Sequence, residues 1–177
     1  EESSLRQEMT TQVFDLCLAE SQFEREVGTG EMVNVGDMVC VLPQGHPLTA
    51  RKVLSPADFA GQPFIYFSQN DPYRHKLDAV FHQADVARDY AAETTTAASV
   101  CALVAAGVGI SIINPLTAAN YAGGSVAVRR LSVSVPYGLA LWYPTRSTGL
   151  AQIRRFIATM TEVASEMAVD LDKLLRG

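Results

Sequence analysis

The sequence predicts an α/β fold, and three observations indicate it. Short apolar runs alternate with helical patterns along most of the 177 residues. Residues 92–115 combine a hydroxyl-rich helix start, a small apolar helix, a Gly107-Val108-Gly109 turn and a β-branched strand. Residues Gly149–Leu175 have the apolar spacing of one long amphipathic helix. Strands alternating with helices favour parallel sheets.

Local signals place the elements of the first half. Ser55-Pro56-Ala57-Asp58 combines a cap, a first-turn proline and an early carboxylate, which is typical of a helix start. The expected elements are a helix from Ser3 or Ser4 to about Thr11, a strand at Phe14–Ala19, a loop at 22–31, strands at Met32–Val35 and Met38–Leu42, a short helix from Ser55, a strand at Phe64–Phe67 and a helix at Tyr73–Ala84.

The second half continues the alternation around residues 92–115. The expected elements are an extended segment at Arg88–Glu93, a helix after the hydroxyls of Thr94–Ser99, a strand of a parallel sheet at Ile110–Ile113, a short helix after Pro115 through about Tyr121, strands at Val126–Val135 and Leu139–Tyr143, and the long helix. A dinucleotide fingerprint needs a strand before its glycines and a helix after them. Here the order is reversed, which argues against nucleotide binding.

Composition excludes some functions. A net charge of -5 and a pI of about 5.1 argue against direct binding of the phosphate backbone of a nucleic acid by this chain. No apolar run approaches a membrane span, and the polar, acidic start does not resemble a signal peptide. Cys17, Cys40 and Cys101 lie inside apolar patterns, which favours buried free thiols in a reducing compartment. We therefore expect a cytoplasmic protein.

Several motifs resemble LysR-type transcriptional regulators over nearly the whole chain. They are VCVLPQGHPL (39–48), the Ser55–Gly61 run, DPYRHKLDAVF (71–81), residues 96–122 and VAVRRLSVSVP (126–136). The longer matches are similar to the branch of the family's founding member. That founding member activates the diaminopimelate decarboxylase gene in response to diaminopimelate, with lysine opposing. The resemblance implies a regulator of lysine biosynthesis.

The resemblance also implies an architecture. Family effector modules have two Rossmann-like subdomains in a type 2 periplasmic-binding-protein-like fold, with the ligand in the cleft between them. Subdomain I would comprise 1–43 plus 134–177, and subdomain II would comprise 44–133. The family's first strand-helix-strand unit is missing from this chain, so subdomain I is expected to be incomplete. A homodimer or homotetramer is expected, without membrane contact, and promoter DNA would be bound only through an N-terminal helix-turn-helix that is absent here.

Candidate ligand-binding residues lie on three loops and two strand ends. They are Glu2, Ser3 and Ser4, which match a ligand-facing loop of the family, together with Glu20, Ser68, Asp71, Tyr73, Arg74, Thr94, Thr95, Thr96, Ser99 and Asn114. Hydroxyls and helix amides suit a carboxylate, as does an arginine fork, whereas Asp71 or Glu20 could accept from an ammonium group. Each residue also has a purely structural interpretation as a helix cap, a surface charge or an ion-pair partner.

Other functions remain as alternatives. The same cleft chemistry suits a LysR-type sensor of arginine or an opine. From a different class, an amino-acid solute-binding protein would share the two-lobed fold, but unpaired cysteines argue against secretion. An enzyme is the weakest alternative, because no nucleophile–base pair is evident and the histidines lack zinc-ligand spacing. We expect no metal and no cofactor.

Overall fold

The computed structural model describes residues 14–20, 29–143 and 150–176. The strands are β1 (Cys17–Ala19), β2 (Thr29–Asp37), β3 (Val39–Pro43), β4 (Val53–Leu54), β5 (Pro63–Phe67), β6 (Asp89–Thr94), β7 (Ser111–Ile113), β8 (Val126–Leu131) and β9 (Pro136–Tyr143). The α-helices are α1 (Pro72–Gln83), α2 (Ala97–Ala105), α3 (Pro115–Tyr121) and α4 (Leu150–Arg176), and short 3-10 helices span Pro47–Ala50 and Pro56–Phe59. The predicted helix from Ser3 or Ser4 lies outside the described residues.

The chain divides into two compact units. Unit 1 comprises Glu1–Val35 and Tyr137–Val169, and unit 2 comprises Gly36–Pro136 and Asp170–Gly177. The assignment of effector subdomains to 1–43 plus 134–177 and to 44–133 stays a prediction.

Unit 1 contains a sheet in the order β1-β9-β2. Cys17 of β1 is opposite Trp142 of β9 in an antiparallel register, and both side chains are buried. On β2, a Cβ atom added to Gly30 would lie 2.7 Å from the Trp142 ring, so glycine permits this close packing. The predicted loop at 22–31 is therefore wrong for residues 29–31, where the strand has already begun.

Unit 2 contains a four-stranded sheet in the order β4-β8-β3-β7 and a parallel β5-β6 pair. Strand β3 is antiparallel to both of its neighbours, whereas β4 is parallel to β8. The prediction that Ile110–Ile113 lies in a parallel sheet is therefore wrong for its pairing with β3. The predicted strand at Val126–Val135 ends earlier, at Leu131, and β9 begins earlier than expected, at Pro136.

A backbone bridge joins the β5-β6 pair to β7. Ile110 is paired in parallel with Phe64; its N–H donates to the Pro63 oxygen at 2.8 Å, and its carbonyl accepts from Ile65 at 3.0 Å. The buried Ser111 hydroxyl donates to the Ile65 carbonyl oxygen at 2.7 Å. Gly109 permits this approach, because a Cβ atom there would lie 2.5 Å from the Pro63 oxygen. Strand β7 therefore runs beside β5 in the same direction.

The three cysteines are free and buried, as the sequence predicts. Cys40 and Cys101 are 0% exposed, and burial raises the pKa of the Cys101 thiol to about 11. Trp142 and Tyr143 are buried as well.

Candidate functional site

Three parallel strands of unit 2 end at one edge. Strands β5 and β6 are paired so that Phe67 is opposite Thr94, the last residue of each strand. The bridge at Phe64 and Ile110 orients β7 in the same direction, so a parallel continuation brings the end of β7 to this edge as well. Helices α1, α2 and α3 begin just after β5, β6 and β7, respectively. Open α/β sheets bind ligands at such edges.

Each of these helices has a short polar side chain at its N-cap. Asp71 of α1 accepts from the N–H groups of Tyr73 and Arg74 at 2.8 and 3.1 Å. Thr96 of α2 accepts from the Ser99 N–H at 3.1 Å. Asn114 of α3, which is 8% exposed, accepts from the Thr117 N–H at 2.8 Å. In each helix the third residue donates to its cap, and the sequence explains this because Asp, Thr and Asn all favour the cap position. We define Asp71, Thr96, Asn114 and the loops that carry them as the capped edge.

The remaining hydroxyls follow the ends of β5 and β6. The Ser68 N–H donates to the Thr94 carbonyl oxygen at 3.0 Å, which joins the two loops directly. The Thr96 hydroxyl donates to the Ser99 hydroxyl at 2.8 Å. Thr95, Thr96 and Ser99 are exposed, whereas Ser68 and Thr94 are half-buried. The structure therefore brings the predicted residues of 68–71, 94–99 and 114 to one edge of unit 2.

Two predicted residues on α1 contact their own unit closely. Tyr73 is 4% exposed, and the Lys76 ammonium lies 4.4 Å from its ring centroid. The Arg74 guanidinium donates to the Phe67 carbonyl oxygen at 2.6 Å and forms ion pairs with Asp78 at 3.0 Å and Glu93 at 3.5 Å. Ligand contact by either residue stays a prediction.

The other predicted residues belong to unit 1. The Glu20 carboxylate is exposed and accepts from the Tyr137 hydroxyl at 2.6 Å. Glu2, Ser3 and Ser4 lie outside the described residues.

The electrostatics of the capped edge suit an anion. Helix N-termini carry partial positive charge. Here the caps already accept from the Tyr73, Arg74, Ser99 and Thr117 amides, so the hydroxyls are the main candidate donors. The adjacent threonine and serine hydroxyls add donors that can rotate toward a carboxylate. Among the described residues, no group of three or more His, Cys, Asp or Glu side chains could hold a metal ion. Carboxylate binding by the hydroxyls of this edge stays a prediction.

Sequence reasoning missed two charged residues beside this edge. Asp78 pairs with both Arg74 and Arg88. The Arg88 guanidinium lies 4.2 Å from the Phe81 ring centroid and 4.8 Å from that of Phe64. The spacing of Arg74 and Asp78, four residues apart on one helix, was the available signal. Nothing local marks Arg88, because its rings come from other elements.

Known proteins resemble this chain in sequence over most of its length. The LysR substrate-binding domain profile matches residues 14–165. The chain belongs to this family. It is 42% identical over 99% of its length to the transcriptional activator protein LysR of Escherichia coli strain K12. It is also 31% identical over 70% of its length to the regulatory protein NocR of Agrobacterium tumefaciens strain T37. The chain spans 57% of the first relative's length and 41% of the second's.

Solved structures share the fold of this LysR-type domain. The regulatory domain of CcmR from Synechocystis, in complex with 2-PG, has a TM-score of 0.72 and 15% identity, covering 91% of this chain and 78% of that chain. The effector-binding domain of QuiR in complex with shikimate has a TM-score of 0.64 and 20% identity, covering 98% of this chain and 76% of that chain.

These findings confirm three predictions. The family is that of the LysR-type regulators. The fold is the type 2 periplasmic-binding-protein-like α/β fold, and its sheets are mixed. The chain is not an enzyme, because the family consists of transcriptional regulators. Within residues 14–20, 29–143 and 150–176, no helix is both long and apolar enough to cross a bilayer.

Proposed function

We propose that this effector-binding domain senses diaminopimelate, with lysine opposing, for a transcriptional activator of lysine biosynthesis. Its 42% identity to the LysR activator over nearly the whole chain supports this proposal. The observation that carries it is the capped edge, where three strand ends and three helix starts combine amides and hydroxyls. Diaminopimelate has a carboxylate and an ammonium group at each end, so each end requires both hydrogen-bond donors and acceptors.

The proposed contacts divide by chemistry. Ser68, Thr95, Thr96 and Ser99 would donate to a ligand carboxylate, with Thr94 and Asn114 shaping the rim. Asp71 would accept from an ammonium group, and Tyr73 completes the proposed set in unit 2. Ligand contact by Glu2, Ser3, Ser4 and Glu20 stays a prediction from the sequence. A ligand that binds one geometry better than another shifts the population toward it. Such a shift would reach promoter DNA through a homodimer or homotetramer and a helix-turn-helix outside these residues.

Calorimetric titration tests the ligand. Meso-diaminopimelate, lysine and arginine are titrated separately into the chain, and we expect heat from the first two. Arginine binding without the other two would favour the alternative sensor of arginine or an opine. No binding of any of the three would contradict the proposal.

A substitution tests the site. Thr95→Val keeps the side-chain shape but removes an exposed hydroxyl from the capped edge, and we expect about tenfold weaker binding of diaminopimelate. Thr159→Val is the matched control, because Thr159 is exposed on α4, where its hydroxyl donates to the Arg155 carbonyl oxygen at 3.1 Å. Equal affinities of the two variants would place the carboxylate elsewhere.

A further inference from the structure

Four charged side chains connect α1 to the strands whose ends form the capped edge. Arg74 and Asp78 lie one turn apart on α1, Arg88 precedes β6, and Glu93 is near the end of β6. Asp78 uses one carboxylate oxygen for the Arg74 Nε, at 3.0 Å, and the other for an Arg88 nitrogen. The two positive and two negative charges balance within the cluster. We call these four residues the arginine relay.

Arg88 is the fixed end of the relay. Its side chain is 7% exposed, and its guanidinium lies within 4.8 Å of the ring centroids of Phe64, Tyr66 and Phe81. In the described part of the chain its buried Nη1 has no hydrogen-bond partner. Because a guanidinium stays charged even when buried, Asp78 supplies the carboxylate that compensates it.

Arg74 is the end that faces the strand termini. Its Nη1 reaches the carbonyl oxygen of Phe67, the last residue of β5, at 2.6 Å, and the Glu93 carboxylate at 3.5 Å. Its guanidinium also lies 4.2 Å from the Tyr66 ring centroid. Phe67 and Glu93 directly precede Ser68 and Thr94, whose backbones are hydrogen-bonded to each other. The guanidinium thus fixes both strand ends against the first turn of α1.

We propose that Arg74 is a positioning residue, held by Asp78 and Arg88, that keeps the Ser68–Asp71 and Thr94–Thr96 loops in their binding geometry. It acts through the backbone of Phe67 rather than by forking onto the ligand. The inference rests on the proposed function, since it assigns a role in that same site. Its test therefore includes a measurement that needs no ligand.

Amide hydrogen exchange in the intact chain provides that measurement. Arg74→Met removes the contact to Phe67. Asp78→Asn removes the charge that holds Arg74 and also the charge that compensates the buried Arg88, so its local exchange is compared with the Met38 amide of the same variant. In both variants we expect the Ser68 and Asp71 amides to exchange about tenfold faster. The Met38 amide, which donates to the Val135 carbonyl oxygen at 2.9 Å in the same unit, should keep its rate.

A control variant and a double variant complete the exchange experiment. Lys76→Met removes another cation from α1, one that lies over the Tyr73 ring. It should leave the exchange rate of the Ser68 amide unchanged. In the double variant that combines Arg74→Met with Asp78→Asn, the Ser68 amide should exchange no faster than in the more affected single variant. Both substitutions act on Ser68 through the contact between Arg74 and Phe67. Unchanged Ser68 exchange in Arg74→Met, or acceleration only in step with Met38, would refute the positioning role. If Arg74→Met accelerates Ser68 exchange and Asp78→Asn does not, Asp78 does not hold Arg74 in place and the arginine relay is refuted.

Calorimetry with meso-diaminopimelate and lysine adds the ligand arm. If the probes bind the unaltered chain, Arg74→Met and Asp78→Asn should weaken both by similar factors. Faster local exchange supports the inference even if neither probe binds, in which case the proposed ligand alone is wrong. Weaker binding in Arg74→Met but not in Asp78→Asn, with exchange unchanged, would instead indicate direct ligand contact and overturn the inference.

Discussion

Replacing Gly109 by alanine tests the backbone contact that keeps β7 beside β5. The added Cβ atom would lie 2.5 Å from the Pro63 carbonyl oxygen and 2.9 Å from its carbonyl carbon. Both obstacles are backbone atoms, so the strands must separate. Overpacking costs about 1–3 kcal/mol. The bridge hydrogen bonds of 2.8 and 3.0 Å would lengthen, each contributing about 0.5–1.5 kcal/mol. We expect the free energy of unfolding to fall by about 3 kcal/mol.

Two other glycines provide matched controls. Gly107 has a φ of +76° in open space, so Gly107→Ala introduces backbone strain without a clash and should cost about 1 kcal/mol. Gly124 has neither feature, since its nearest contact would be 3.9 Å away, and Gly124→Ala should change stability by less than about 1 kcal/mol. Urea unfolding followed by circular dichroism gives the three values. If Gly109→Ala costs no more than Gly107→Ala, the close approach does not limit the packing.

Two further predictions concern single residues. Asp85 follows α1 with a φ of 53°, so Asp85→Gly should stabilise the chain by about 0.5–1 kcal/mol in urea unfolding, and a loss would contradict the strain argument. The pKa of Asp58 is lowered mainly by the hydrogen bond from the Ser55 backbone. Burial opposes this effect in part, and the Ser55 hydroxyl and Arg51 lower the pKa further. Its contribution is present above the unfolded pKa of about 3.9 and is lost as the pH falls through the lower folded pKa. Asp58→Asn should therefore flatten the acid limb of a stability–pH curve, and an unchanged limb would refute this.

Local chemistry explains what could be predicted from the sequence. The cap interpretations of Asp71 and of the hydroxyls that include Thr96 are confirmed, because short polar residues before a helical pattern favour that position. Asn114 is predicted only as a strand-end contact, and the structure shows that it caps α3. Capping depends on residues three positions apart, so a single sequence reveals it. Helix α3 begins one residue earlier than the sequence predicts, at Pro115, because proline suits the first position of a helix.

Partners that are distant in sequence explain the rest. The direction of β7 relative to β3 depends on pairing between residues about seventy positions apart, which periodicity does not specify. The early start of β2 depends on Gly30 packing against Trp142, and a glycine beside polar residues reads as a loop. Arg88 gains its role from rings on β5 and α1, so its own neighbours gave no signal.

The path of the backbone through the two units decides how they could be separated. Unit 1 needs segments from both sides of unit 2, whereas residues 36–136 contain strands β3 to β8 and the whole capped edge. A gene fragment limited to that span would lack Asp172, the ion-pair partner of Arg130. Both side chains of that pair are more than a third exposed, so its removal should cost less than about 1 kcal/mol. The fragment would also lack Leu171, whose side chain is 8% exposed, so a minimal fragment for spectroscopy should join the end of α4 to residues 36–136.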